Sequence, residues 1–240
     1  MDVFFTPDLW IIFLLLVGGA ILSVWQKKLT WLAAFTGVFV GLLIYFASGV
    51  SGLVMLAIFF ILGSFATTFN FEKKQRIGVA EKNKGQRKAS QVLANAGAAG
   101  LFSILALLYP QHRQFFLVAI AGSFSTALAD TLSSELGALY GKKFYKITTL
   151  KHDTRGLDGV ISVEGTLIGF AGSILIAMVY ALANDFNEMM FFIIIGGTVG
   201  NLTDSLLGAT VERKGYVGND VVNFLSTLIG AVVCLLLSLI

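Results

Sequence analysis

The chain is poor in charge and nearly devoid of cysteine, and each shortage excludes whole classes of protein. A single cysteine, Cys234, stands among 240 residues. Neither an internal disulfide framework nor a cysteine metal site can form, and cysteine usage says nothing about redox compartment. Charged residues make up 13% of the chain against 56% hydrophobic, with a mean hydropathy of +0.83, which leaves no room for a soluble domain. His152 lies alone in a charged loop and is assigned no role.

What the chain does have is apolar runs of membrane-spanning length. They cover about 9–24, 29–47, 53–69, 91–109, 114–140, 160–183, 189–209 and 221–240. The first is preceded by Asp2 and Asp8 rather than by basic residues, so it reads as a retained helix and not as a cleaved signal. The fold class expected is all-α: a polytopic bundle of about eight transmembrane helices. Residues 1–69 read as a three-helix scaffold, 70–90 as a basic loop, and 91–240 as a five-helix part.

Charge sets the orientation. The connections after the first, third, fifth and seventh runs hold 16 of the 17 lysines and arginines, and only Arg113 lies elsewhere. By the positive-inside rule those connections face the cytoplasm and both termini lie outside. The net charge of +3 therefore reports topology and gives no nucleic-acid surface. The segment 73–76 is read as a solvated topology signal near anionic lipid.

Acids set inside apolar runs are expensive, and they mark function by default. In Leu128-Ala129-Asp130-Thr131-Leu132-Ser133-Ser134-Glu135-Leu136-Gly137, helical spacing puts Asp130 on a face with Ser133 and Ser134. Asp130 is 17 residues past Arg113, roughly 26 Å across a core of about 30 Å. Leu202-Thr203-Asp204-Ser205-Leu206 echoes this stretch at a similar depth. Glu164 enters the sixth run from the basic side, after the glycine-containing loop Arg155-Gly156-Leu157-Asp158-Gly159. Arg87, Gln91 and Asn95 recur every four residues and form one polar face. Asn201, Asp220 and Asn223 fall in the same cytoplasmic third. The depth argues against a transporter site at the midplane. It suits an enzyme that acts on a lipid head group, with carboxylates for magnesium and basic loops for phosphate.

Five motifs resemble the phytyl-phosphate kinase family. They are Gln91 to Asn95, Ala129 to Gly137, Arg155 to Thr166, Asp204 to Thr210 and Asn219 to Asn223, in that order over spans four to eight. Polyprenol kinases and CTP-dependent phosphatidate cytidylyltransferases are similar at greater distance. Chloroplast members of the family convert phytyl phosphate to the diphosphate, with CTP as favoured donor. The resemblance implies a magnesium-dependent phosphotransferase taking an isoprenoid monophosphate and a nucleoside triphosphate. Asp130 and Asp204 would hold Mg2+, with Glu135 and Glu164 as further catalytic candidates. Lys142, Lys143, Arg155, Gly156, Asp158, Gly159, Gly165, Asp220 and Asn223 would take the nucleotide. Arg87, Gln91, Asn95, Ser134 and Asn201 would take the acceptor. The expected setting is a bacterial or archaeal cytoplasmic membrane with the site facing the cytoplasm, membrane lipid as a partner, no nucleic acid, and a homodimer allowed for. The rival readings are a CTP-dependent lipid cytidylyltransferase or polyprenol kinase, an isoprenoid-phosphate carrier and a non-catalytic membrane protein.

Overall fold

A computed structural model describes residues 7–240; Asp2 lies outside them. The described residues form eight α-helices, α1 (Pro7–Trp25), α2 (Trp31–Thr68), α3 (Phe71–Arg76), α4 (Ala89–Leu108), α5 (Arg113–Tyr140), α6 (Val163–Asn184), α7 (Met189–Leu207) and α8 (Asn219–Leu237). Six of the helical stretches are long and apolar enough to cross a membrane by length and composition. Among the described residues strand is confined to two-residue β1 (Tyr145–Lys146) and β2 (Val160–Ile161), paired antiparallel in the α5–α6 connection.

The longest helix crosses twice. A straight helix rising about 1.5 Å per residue would carry Thr68 far from Lys28, yet Lys28 Nζ donates to Thr68 Oγ1 at 3.3 Å. The reversal occurs at Gly49, whose φ of 66° and ψ of −150° interrupt the helix. A glycine tolerates that geometry because it has no Cβ to clash. The two arms, 31–48 and 50–68, supply the second and third spans. With the two arms taken separately and the shorter apolar α1 included, the apolar helical stretches among the described residues number about eight, and the short α3 lies at the basic end.

Helix α5 is the axis of the bundle. It packs against α2, α4, α6, α7 and α8, and every residue from Val118 to Ala129 is buried. A helix enclosed on all sides needs small neighbours to let others approach. On α7, a methyl group added to Gly200 would fall 2.2 Å from the Thr126 hydroxyl. Two buried hydroxyls along this seam bond to backbone: Ser125 Oγ donates to Ile193 O at 3.1 Å and Thr126 Oγ1 to Gly122 O at 3.0 Å.

At the basic end the turn before α2 fixes the start of α4. Arg87 N donates to Lys28 O at 2.9 Å, and Arg87 O accepts from Thr30 N at 3.1 Å. This places Arg87, and the face of α4 that follows it, against the second arm of α2. At the other end Arg113 Nε donates to Ala47 O at 2.7 Å.

The reading of 73–76 as a solvated segment is corrected for one residue. Lys73 and Arg76 are exposed, but Lys74 is fully buried. Its ammonium donates to Ala66 O at 2.6 Å, to Thr67 O at 3.3 Å and to the Glu135 carboxylate. Lys74 thus satisfies carbonyls at the C-terminal end of α2, where a cation also complements the helix dipole.

Candidate functional site

The basic end of the bundle encloses a cavity of about 300 Å3. Three helices begin at it. Arg87, Gln91 and Asn95 come from the start of α4, Ser162, Gly165 and Thr166 from the start of α6, and Asn219 and Asn223 from the start of α8. Helix N-termini present free N–H groups and a positive dipole end, which together attract anions. Local chemistry explains each start. Ser162 Oγ accepts from Gly165 N at 3.0 Å as the N-cap of α6, and Gln91 Oε1 accepts from Lys88 N at 2.9 Å at the head of α4. Such caps favour helix initiation at these points.

Side chains of the opposite character line the same space. Glu81, Asp130, Glu135, Asp158, Asp204 and Glu212 face it, against one cation among the described lining residues, Arg87. Asp130 of α5 and Asp204 of α7 meet within hydrogen-bonding reach, and Asp204 Oδ2 also accepts from Ser226 Oγ at 3.0 Å. The two echoing stretches therefore face each other. Beside them, Ser133 Oγ donates to Asn201 Oδ1 at 3.0 Å, which joins α5 to α7 along the cavity floor.

The glycine loop sits on an irregular turn. Residues Gly208–Glu212 form a π-helical turn, a rare element that concentrates at functional sites. Gly159 (φ 72°) lies so close to it that a methyl group there would fall 2.3 Å from Ala209 N. Asp158 and Glu212 are brought near Asp204 by this contact. The outer faces of the two connections are tied by Arg213, whose Nη1 and Nη2 reach Asp153 Oδ2 at 2.6 Å and Oδ1 at 3.3 Å. That pairing holds the Asp153 carboxyl below the ordinary aspartate range, the Arg213 hydrogen bond contributing most.

On the α2 side, Arg87 stacks over the Phe59 ring at 4.9 Å and passes Gly63, where a methyl group would fall 2.7 Å from Nη2. Burial lowers the Arg87 pKa, and the charges of Glu81 and Glu135 oppose that shift. Glu81 is raised above the ordinary glutamate range by loss of solvent and by the Glu135 charge, with Arg87 and Lys74 pulling it back.

Of the residues singled out in the sequence, the structure brings together at the cavity Asp130, Asp204 and Glu135; Gly156, Asp158, Gly159, Gly165 and Asn223; and Arg87, Gln91, Asn95, Ser134 and Asn201. Five others do not line it. Lys142 and Lys143 are exposed. Glu164 is turned to the α5–α6 connection, where its Oε2 accepts from Lys142 N at 3.3 Å. Arg155 Nη2 donates to Gly141 O at 3.2 Å while the guanidinium covers the Phe144 ring at 4.6 Å. Asp220 is half-buried in the first turn of α8, and Asn219 and Asn223 on either side reach the cavity instead.

Sequence reasoning did not single out Glu81, Glu212, Thr67 or Lys74. For Glu212 a signal exists: Asp204, Gly208 and Glu212 follow at four-residue steps, and so remain near one helical face. Thr67 similarly follows Gly63 by four. For Lys74 no local pattern points to burial, because its partner Glu135 is 61 residues away.

The arrangement defines a polytopic integral membrane protein with a polar, acid-rich chamber at one end. Residues 14–231 match the family described as integral membrane protein DUF92, and the chain belongs to that family. Relatives include the uncharacterized membrane protein sll0875 of Synechocystis, 36% identical over 81% of this chain and 77% of that protein. The uncharacterized membrane protein MJ0933 of Methanocaldococcus jannaschii is 37% identical over 82% and 79%. Protein VTE6, chloroplastic, of Arabidopsis thaliana is 32% identical over 82% of this chain and 61% of its own length. This membership bears out the resemblance carried by the five motifs. No solved structure matches the chain.

Proposed function

We propose that the chain is an isoprenoid-monophosphate kinase, transferring the γ-phosphoryl group of a nucleoside triphosphate, with CTP the favoured donor, to give the isoprenoid diphosphate. One observation carries the reading. A single chamber presents a facing carboxylate pair on one side and, on the other, an arginine that makes no hydrogen bond through its guanidinium among the described residues. The first suits a metal-bound polyphosphate and the second a phosphomonoester anion. The chloroplast relative supports the same class of chemistry through the family resemblance.

The donor set fits magnesium. Asp130 and Asp204 are hard oxygen ligands placed face to face, and two carboxylates that close repel each other unless a proton or cation intervenes. Among the described residues no group of three or more Asp, Glu, His or Cys is close enough to form a complete protein cage. Magnesium commonly takes one or two carboxylates and completes its shell with water and phosphate oxygens. When bound, Mg2+ would offset charge on the phosphate oxygens.

The chain's own groups would bind and orient. Backbone N–H groups at the start of α6 and α8, with the glycine loop held on the π turn, face the donor phosphates. Arg87, Gln91 and Asn95 face the acceptor phosphate. An oxygen of that phosphate attacks the γ-phosphorus as the bond to the β-phosphate oxygen breaks, and the nucleoside diphosphate leaves. The acceptor is already an anion, so no general base is needed, and catalysis rests on alignment and charge compensation. Lys142, Lys143 and Arg155 are not needed as phosphate clamps here.

The test is an assay of purified protein in detergent with magnesium, γ-labelled CTP and a panel of isoprenoid alcohols and monophosphates. Label in an isoprenoid diphosphate is the expected result. Label only in an alcohol's monophosphate would instead identify a polyprenol kinase, and release of pyrophosphate a cytidylyltransferase. Intact nucleotide with every acceptor would leave the carrier.

A further inference from the structure

Lys74 and Glu135 form a buried ion pair that the proposed chemistry does not use. Lys74 has no solvent exposure, and its three ammonium protons are matched by three acceptors, Ala66 O, Thr67 O and the Glu135 carboxylate. Glu135 itself lines the chamber. It lies near enough to Arg87 and Glu81 for its charge to be felt by both.

Arg87 is nevertheless paired with neither acid: the ion pairs among the described residues are Lys74–Glu135 and Arg213–Asp153. Its guanidinium rests on the Phe59 ring and makes no hydrogen bond to a described residue. A carboxylate next to an arginine ordinarily forms a bidentate pair, which would consume the donors that a phosphate needs. Of the two carboxylates whose charge reaches Arg87, Glu135 is engaged by a lysine that also secures the end of α2, while Glu81 makes no ion pair among the described residues.

We infer that Lys74 is a positioning residue for the acceptor site: by holding Glu135 it keeps Arg87 open, so that the chamber selects a phosphomonoester over the corresponding alcohol. The inference rests on the reading of Arg87 as the acceptor-phosphate residue and deepens it. Loss of Lys74 alone would free Glu135 to close on Arg87. Loss of both partners would leave Arg87 open again, since neutralising a buried pair together avoids an uncompensated charge.

The experiment is equilibrium binding of radiolabelled farnesyl monophosphate to the full-length protein in detergent, without nucleotide, with farnesol as the control ligand. The wild type is expected to bind the monophosphate in preference to farnesol, and R87Q to lose that preference. K74M is expected to bind the monophosphate about tenfold more weakly or worse, the size of one lost charge-assisted hydrogen bond. E135Q should bind no more weakly than the wild type, and the double variant K74M/E135Q should return to within about threefold of it.

A purely structural role of the pair would also be relieved by the second substitution. K74M would then lose farnesol binding and thermal stability along with the monophosphate, whereas the positioning role predicts a loss confined to the monophosphate. The inference is overturned if K74M binds as the wild type does, if the double variant stays as weak as K74M, or if the wild type shows no preference for the phosphate. Should K74M fail to fold, E135Q and the double variant still decide: a tenfold loss in either defeats the inference. γ-Label transfer measured in parallel separates this from the kinase reading. The expected binding pattern without transfer would defeat the kinase alone, and transfer with a wild-type-like K74M would defeat the positioning role alone.

Discussion

The two walls of the chamber are built on different principles. The wall made by α5, α7 and the glycine loop concentrates carboxylates, with Asp130 against Asp204 and with Asp158 and Glu212 nearby. Its geometry is held by direct backbone contact between Gly159 and Ala209. The wall made by α2, the loop after α3 and the head of α4 holds the one cation among the described lining residues against an aromatic ring, and Lys74 of α3 behind it keeps a neighbouring acid occupied. One wall gathers negative charge that a cation can relieve, while the other leaves positive charge unspent. A chamber with both can receive two anions of different kinds without the two competing for the same groups.

The largest effect should come from the acidic wall. D130N and D204N keep shape and hydrogen bonding while removing charge. Each is expected to lower label transfer by about a hundred- to a thousandfold, the scale seen when one transition-state contact is removed. Retained cooperative unfolding would show that the fold survives, and full activity in both variants would sink the magnesium assignment. Next in size is G159A. Its positive φ and the clash that an added methyl group would make with the Ala209 backbone predict a loss of about 1 to 3 kcal/mol, read from thermal unfolding. A wild-type melting curve would mean that the loop and the π turn can part freely.

A smaller change tests the opposite wall. G63A places a methyl group against the tip of Arg87, which can swing aside, so stability should hardly change while the acceptor KM rises roughly tenfold through misplacement. An increase in the nucleotide KM instead would reverse the assignment of the walls. The smallest effect belongs to the exposed Asp153–Arg213 pair, since surface pairs contribute little. Because the Asp153 pKa is lowered in the folded state, its contribution is complete above the ordinary aspartate range. It fades as pH falls through the depressed value. D153N should therefore match the wild type at acid pH and unfold at slightly lower temperature at neutral pH. Identical curves at neutral pH would show that the pair is not formed in solution.

The acidic wall was the more legible in sequence, for a physical reason. Asp130 and Asp204 stand out because a charge inside an apolar run has few structural excuses, and helix rise alone puts them at one depth. The eight passes were readable from hydropathy and alternating charge, although the reversal inside α2 rests on a single glycine. The other wall was harder to see. Lys74 sits in Glu72-Lys73-Lys74-Gln75-Arg76, a run indistinguishable from a topology signal until α5 supplies Glu135. Arg155, Lys142 and Lys143 show the opposite case, since their charge is conspicuous in sequence yet none of them lines the chamber. A basic residue beside a helix end can serve orientation, or in Arg155 cap a carbonyl, without facing the chamber. Arg87 was found because it begins a periodic polar face, the one feature of that wall written locally.

The reversal at Gly49 also bears on how the chain is made. Neither arm of α2 contains an aspartate, glutamate, lysine, arginine or histidine, and the turn between them adds none. Lys27 and Lys28 precede the first arm, and Lys73 and Lys74 follow the second. During synthesis such a segment can enter the bilayer as one folded hairpin, because only the uncharged tip must cross while the lysines at both ends stay behind. The arm that carries Gly63 and Thr67 precedes α4 and α5 in the chain, so on that route it would be in place before either of those helices emerges.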